Sequence, residues 1–425
     1  MSPKRKTSKS ATYDCVVIGG GPAGATAATL LADYGHRVVV LERGRFPRHH
    51  IGESLMPQSY WTFKRLGMLP KLKASDFPLK QSVQFVSPSG RDGQPYYFTE
   101  RDPNEWSITW QVCRDRFDRM MLENAREHGA EVREGVGVKE VLFDDARAVG
   151  VRALCGDETL TIHAKVVIDA SGASTLLSRQ LGIRRPDPDL RNAAIYAYYK
   201  GAWRDEGRNA GATLVLHTPD RHGWFWSIPL PDDITSVGVV APPAYLFTGR
   251  GDDPLATLEE EISQCPGIRR RLTGASRVSQ AFVTSDFSYC ASQLAGDGWV
   301  LIGDAFGFLD PVYSSGVFLA LKTGEWAADA VHEALSAGEV TGARLGAFAP
   351  GLLRGMHLIR QLIHAFYDPS FSFREFHKLH PEYRDHIVRI LIGDVFNDEV
   401  GQVFDVMRQW ISLPEPVKLT GSIAQ

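Results

Sequence analysis

The chain has 425 residues, 44% hydrophobic and 23% charged, enough to bury a sizeable core in roughly two to three compact units. Lys and Arg total 47 against 50 Asp and Glu, a formal charge of -3, so there is no basic field for nucleic acid. Five scattered cysteines, Cys15, Cys113, Cys155, Cys265 and Cys290, form no Cys-x-x-Cys pair, which excludes a disulfide framework and a zinc site as expectations.

No run approaches the ~18 apolar residues of a membrane-crossing helix, and the N-terminus lacks an apolar signal core. These features point to a cytoplasmic protein without membrane contact. Residues 1–11, opening with MSPKRKTSKS, have nothing to bury and are expected to be a disordered basic tail.

From Tyr13 the apolar run YDCVVI, the turn GGGPAG, the Ala/Leu-rich stretch ATAATLLADYG and the run RVVVLE predict strand, glycine turn, helix and strand. Strands apolar on both faces belong in a parallel sheet with right-handed crossovers. Arg116 to His128 has helical spacing, Glu131 to Phe143 reads as paired strands, and KVVID at 165–169 is a strand running into Ala-Ser-Gly. Between Ala193 and Ala241 the runs AIYAYYKG, ATLVLHT, GWFWSIPL and TSVGVVA predict a mainly antiparallel sheet, to which Phe77 to Phe98 adds strands. Trp299 to Ile302 returns to a buried strand, a helix is expected from Ser315 to Leu335, and the remainder reads as helical.

Gly19, Gly21 and Gly24 spell G-x-G-x-x-G directly after the first strand and at the mouth of the helix, and Glu42 ends the next strand. The first glycine permits the tight turn, the second lets backbone approach a pyrophosphate, the third lets helix and strand pack closely, and Glu42 can accept from ribose hydroxyls. A chance glycine turn would lack this strand, helix and terminal acid. A second nucleotide-contacting element, VLIGDAFGFLDP at 300–311, places Gly303 and Asp304 after a strand, where Asp304 can reach a ribityl chain. FAD fits both elements; a simple NAD dehydrogenase has no use for the second.

With Arg114 in QVCRDRFD and the Asp169-Ala170-Ser171-Gly172 segment, this pattern resembles the FAD-dependent aromatic hydroxylase and halogenase superfamily. The implied fold class is α/β, a Rossmann-like FAD-binding domain with an interleaved antiparallel substrate sheet and a helical C-terminal region. The FAD domain is expected over 12–76, 111–190 and 276–335, the substrate-side sheet over 77–110 and 191–275, and the helical region over 336–425. By resemblance, Pro22, Ala23 and Arg43 join the three glycines and Glu42 in holding FAD, together with Arg114, Gly303, Asp304 and Gly316.

Trp224-Phe225-Trp226-Ser227-Ile228-Pro229 is similar to the W-x-W-x-I-P signature of flavin-dependent halogenases. The alternative is two core tryptophans on one strand face by period two. The halogenase resemblance implies that Trp224, Trp226, Ile228 and Pro229 partition flavin from substrate. It also implies a catalytic lysine, matched by Lys80 with Phe85 five residues on, although the family's usual glycine two places after the lysine is Ser82 here. Otherwise a lysine on a strand is most often a surface residue. Chloride or bromide is expected at the backbone amides of Ser315 and Gly316. Tyr313 stands where tryptophan halogenases have glutamate, which argues for a phenol or pyrrole, free or carrier-bound, and makes Tyr313 a substrate-pocket candidate.

The implied activity is that of an oxidoreductase in the biosynthesis of halogenated natural products. It uses FADH2 and O2 to form hypohalous acid at the flavin and passes halogen through the lysine. No second G-x-G-x-x-G is present, so a separate flavin reductase is the expected partner. A flavin monooxygenase or geranylgeranyl-reductase-like enzyme would share the FAD residues but not Lys80 and WFWSIP together, and a non-catalytic FAD-binding interaction protein would also keep them. Asp286 has no assigned role. The histidines, including His49, His50 and His357, show no metal-ligand spacing, and no G-x-S-x-G elbow is present.

Overall fold

The computed structural model describes residues 12–285 and 288–420, so the tail expected over 1–11 and Asp286 lie outside the described residues. The strand Thr12–Ile18, buried along most of its length, runs in the middle of a sheet, parallel to Val38–Glu42 on one side and Glu158–Asp169 on the other. The order continues outward to Glu131–Glu134 beyond Val38–Glu42, and to Trp299–Leu301 and Ala295–Gly296 beyond Glu158–Asp169. The carboxyl ends of Thr12–Ile18 and Trp299–Leu301 therefore point the same way. This brings the glycine turn and Gly303-Asp304 to one edge, where ligands of open parallel sheets bind.

Three local expectations are corrected. Glu131–Glu134 and Val136–Asp144 are strands but do not pair with each other, because the single residue between them cannot close a hairpin; the first pairs with Val38–Glu42 and the second with Arg147–Cys155. The helix expected from Arg116 starts at Arg114. Lys80 is not on the substrate sheet: the short strand Leu79–Lys80 pairs with Thr109–Trp110, whereas Ser82–Val86 and Tyr96–Tyr97 join the large sheet.

That second sheet runs in the order Ser276–Arg277, Ala193–Lys200, Ile234–Ala241, Trp224–Pro229, Thr213–His217, Ser82–Val86, Tyr96–Tyr97. It is antiparallel except between Thr213–His217 and Ser82–Val86. Phe282–Thr284 also pairs with Ala193–Lys200, so the sheet extends past residue 275; the Phe282 ring stacks on Tyr196. The helices Ala349–Tyr367, Phe373–Leu379 and Arg384–Ile392 pack into a core shared with Trp224, Trp226, Tyr313 and Phe318. No described helix is long and apolar enough to cross a membrane.

Candidate functional site

At the glycine turn, a Cβ on Gly19 would lie 2.4 Å from the Ala170 carbonyl oxygen, and one on Gly24 would lie 2.0 Å from the Gly19 carbonyl oxygen. Both glycines are therefore required by the protein's own packing. Gly21 differs: a Cβ there would come no closer than 3.7 Å, ordinary contact, to Arg48 Nη2, so the protein's own packing leaves room at this position. The helix Pro22–Asp33 begins there with proline in its first turn and no side-chain cap, which leaves its first amides for an anion. Glu42, 4% exposed, accepts from the amides of Gly20 and Gly44 at 2.9 and 2.7 Å. Arg43 is exposed beside it, whereas Arg48 lies between Glu42 and Asp118 at 3.7 and 3.6 Å.

Arg114 is buried and grips Asp118 bidentately at 2.7 and 3.0 Å, while its Nη1 donates to the Ile51 carbonyl at 2.6 Å. Most of its fork thus holds the 51–57 segment to the helix Arg114–Glu127. Asp304 has no hydrogen bond or ion pair on its carboxylate among the described residues, and burial pushes it up to about 7, opposed by Arg114. Asp169 is already used, accepting from the amides of Ser171 and Leu177.

Lys80 is 2% exposed, and its Nζ donates to the Leu55 carbonyl at 2.9 Å and lies 5.5 Å from the Phe98 ring centroid. No carboxylate pairs with it among the described residues, and burial pulls its ammonium down to about 7. Leu55 is placed by the edge contact of Leu55 with Trp110, so the segment held by Arg114 at one end holds Lys80 near the other. Trp224 and Trp226 lie buried on one face of their strand, ring centroids 6.2 Å apart; Ile228 and Pro229 complete that buried strand. Asp310, fully buried, caps the turn Pro311–Tyr313, and Ser314 at φ +61° leads into the helix Ser315–Ala337, which starts without a side-chain cap. Gly316 lies in that first turn against the Phe308 ring. Tyr313 is buried, donating to the Leu362 carbonyl at 3.1 Å, its ring edge-on to Phe85 and Phe366.

The family model described as FAD binding domain matches residues 12–328. Over 414 residues the chain is 34% identical to a 1H-pyrrole-2-carbonyl-(peptidyl-carrier protein) brominase of Pseudoalteromonas luteoviolacea, covering 96% of this chain and 99% of that protein. It superposes on the solved flavin-dependent brominase Bmp2 with a TM-score of 0.85 at 31% identity, covering 94% of this chain and 99% of that one. The chain belongs to the flavin-dependent halogenases. It is also 32% identical over 427 residues to a 1H-pyrrole-2-carbonyl-(peptidyl-carrier protein) chlorinase of Pseudomonas fluorescens, covering 95% of this chain and 94% of that protein.

As a flavin-dependent halogenase the protein uses FAD and a halide, and its residues fit the cofactor. The bare backbone at Gly21, the uncapped helix start and the unpartnered Asp304 carboxylate are the three features a pyrophosphate and a ribityl chain require. Sequence reasoning missed Arg48, Asp118 and Glu53 in this halogenase. Glu53 is 3% exposed with Oε2 unpartnered among the described residues, and burial pushes it up to about 7, opposed by Ser236, Tyr198 and Arg114. Its place in the segment Ile51 to Pro57, IGESLMP, was the only signal in the sequence. Phe366 and Tyr367, beyond the matched family segment, were also missed; both rings contact the Trp224 region.

Proposed function

We propose that the enzyme halogenates a pyrrole carried as a thioester on a carrier protein, holding the oxidised halogen at Lys80. The observation that carries this reading is the state of Lys80: fully buried, held only by a backbone carbonyl among the described residues, and poised near neutrality. A structural lysine at such depth is expected to have a carboxylate partner. The full-length similarity to two enzymes named for pyrrolyl carrier-protein substrates supports the substrate class.

Reduced FAD supplies the activation of O2 that oxidises halide. Gly19 to Gly24, Glu42, Arg114, Gly303 and Asp304 hold and orient the cofactor; Arg43, exposed, contributes charge at most. Amides of Ser315 and Gly316, at the positive end of a 23-residue helix, hold chloride or bromide. The strand from Trp224 to Pro229 keeps the aromatic substrate from the flavin. Hypohalous acid reaches Lys80, whose ammonium donates to it or whose neutral amine takes the halogen. At the ring a carbon–halogen bond forms, the ring proton leaves, and with the hydroxide of hypohalous acid it makes water. FADH2 comes from a separate flavin reductase.

The test supplies purified enzyme with FAD, a flavin reductase, NADH and bromide or chloride. Pyrrolyl-carrier protein, free pyrrole-2-carboxylate and a set of phenols are offered side by side. Mass spectrometry is expected to show halogen on the carrier-bound pyrrole. Hydroxylation without halide use overturns the reading in favour of a monooxygenase.

A further inference from the structure

The helix Ala349–Tyr367 begins 21 residues past the end of the matched family segment, yet it reaches the loop that leads into the helix Ser315–Ala337. The Trp224 Nε1–H donates to the Tyr367 hydroxyl at 2.7 Å, and that hydroxyl donates to Asp310 Oδ2 at 2.8 Å. Asp310 is fully buried; its other donors are Asn192 Nδ2 at 3.0 Å and the Val312 amide at 3.1 Å. A second tie joins the same two elements, from the Tyr313 hydroxyl to the Leu362 carbonyl. Phe366 fills the angle between them, stacked on His217 with centroids 4.7 Å apart and edge-on to Trp224 and Tyr313.

We infer that Tyr367 is a positioning residue for halide use: its hydroxyl holds the tryptophan strand and the Asp310–Gly316 loop in one fixed relation. Asp310 sets the turn through the Val312 amide, and that turn delivers the amides of Ser315 and Gly316. A buried carboxylate keeps its orientation only through its donors, and leaving one lone pair and the Trp224 N–H unpaired frees both elements to shift. A carboxylate that loses a donor also becomes easier to protonate, and burial already pushes Asp310 up to about 6. The inference rests on the halide placement proposed above.

The test is Tyr367→Phe, which removes one oxygen and preserves ring volume. FAD affinity is expected to stay as in the wild type. The KM for bromide should rise about tenfold while kcat at saturating bromide stays within about threefold, the signature of lost binding without lost chemistry. Bromide turnover is read with taurine as the halogen trap, so substrate identity does not enter. Halide binding is read independently by broadening of the 35Cl resonance in the FAD-loaded protein. Tyr199→Phe, which removes a buried hydroxyl without a partner among the described residues, is the control for losing a tyrosine oxygen without losing a hydrogen bond. Equal bromide KM and equal 35Cl broadening in Tyr367→Phe and wild type overturn the inference. If Tyr367→Phe does not fold, Trp224→Phe removes the other end of the relay and must also raise the bromide KM; an unchanged value overturns the inference equally. A wild type that broadens 35Cl but never halogenates taurine counts against the free-hypohalous-acid reading, and leaves the positioning role to be decided by the broadening.

Discussion

The Lys80 ammonium donates to the carbonyl oxygen of Leu55, in the same segment whose Ile51 and Gly52 carbonyls accept from Arg114. One stretch of chain thus spans from Arg114 to Lys80. Displacing either end should be felt at the other.

Lys80→Met should retain FAD and still oxidise halide, as read with taurine, while halogenated pyrrole falls by about 100-fold or more. The same variant has a stability signature. Lys80 drops from an ordinary 10.5 to about 7 in the fold, so between those values the unfolded chain binds more protons. The destabilisation from burying it is therefore complete below pH 7 and fades as pH rises to 10.5. The Tm of Lys80→Met should exceed that of the wild type most at pH 7 and below, with the gap closing toward pH 10. A gap independent of pH removes the buried, shifted lysine.

The two outer glycines and the middle one should separate by assay. Gly21→Ala has room in the protein, so Tm of the FAD-free chain should be unchanged while FAD affinity, followed by flavin fluorescence, falls by about tenfold, or about 1.4 kcal/mol. Gly24→Ala meets the Gly19 carbonyl and should lower the Tm of the FAD-free chain itself. Tight FAD binding by Gly21→Val contradicts the placement.

Glu53 supplies a second pH window, opposite in sign. Its carboxyl rises from 4.5 to about 7 on folding, so between those values the native state holds the extra proton and stability falls as pH increases. Gln at this position mimics the protonated acid. Glu53→Gln should match the wild-type Tm near pH 4.5 and exceed it progressively up to pH 7, after which the difference stays constant. The charged groups that face Glu53 are Arg114, Asp115 and, when ionised, Tyr198, Tyr196 and Cys113.

Without a reductase, NADH or NADPH should bleach the bound flavin slowly in anaerobic stopped flow, because the chain carries a single G-x-G-x-x-G element. Adding a flavin reductase should restore turnover. Fast direct reduction by NADPH points instead to a one-component enzyme.

The parts of this halogenase legible in the chain were those whose cause is local. A glycine turn between apolar runs can be read because Gly24 answers to the Gly19 carbonyl in the same turn, and alternation in WFWSIP shows Trp224 and Trp226 on one face, whereas the Ala170 carbonyl that requires Gly19 is brought up only by folding. Lys80 could be singled out by resemblance, but its burial, its carbonyl partner and its separation from the substrate sheet come from Thr109–Trp110 and Leu55, which only folding brings beside it. Arg48 meeting both Glu42 and Asp118, Glu53 facing Ser236, and Tyr367 reaching Asp310 join residues far apart in sequence. Periodicity reports which face of an element is buried; which partner waits there is decided by how sheets and helices close over one another, and that burial then pushes Lys80 toward its neutral form and, opposed by Arg114, Glu53 and Asp304 toward their protonated forms.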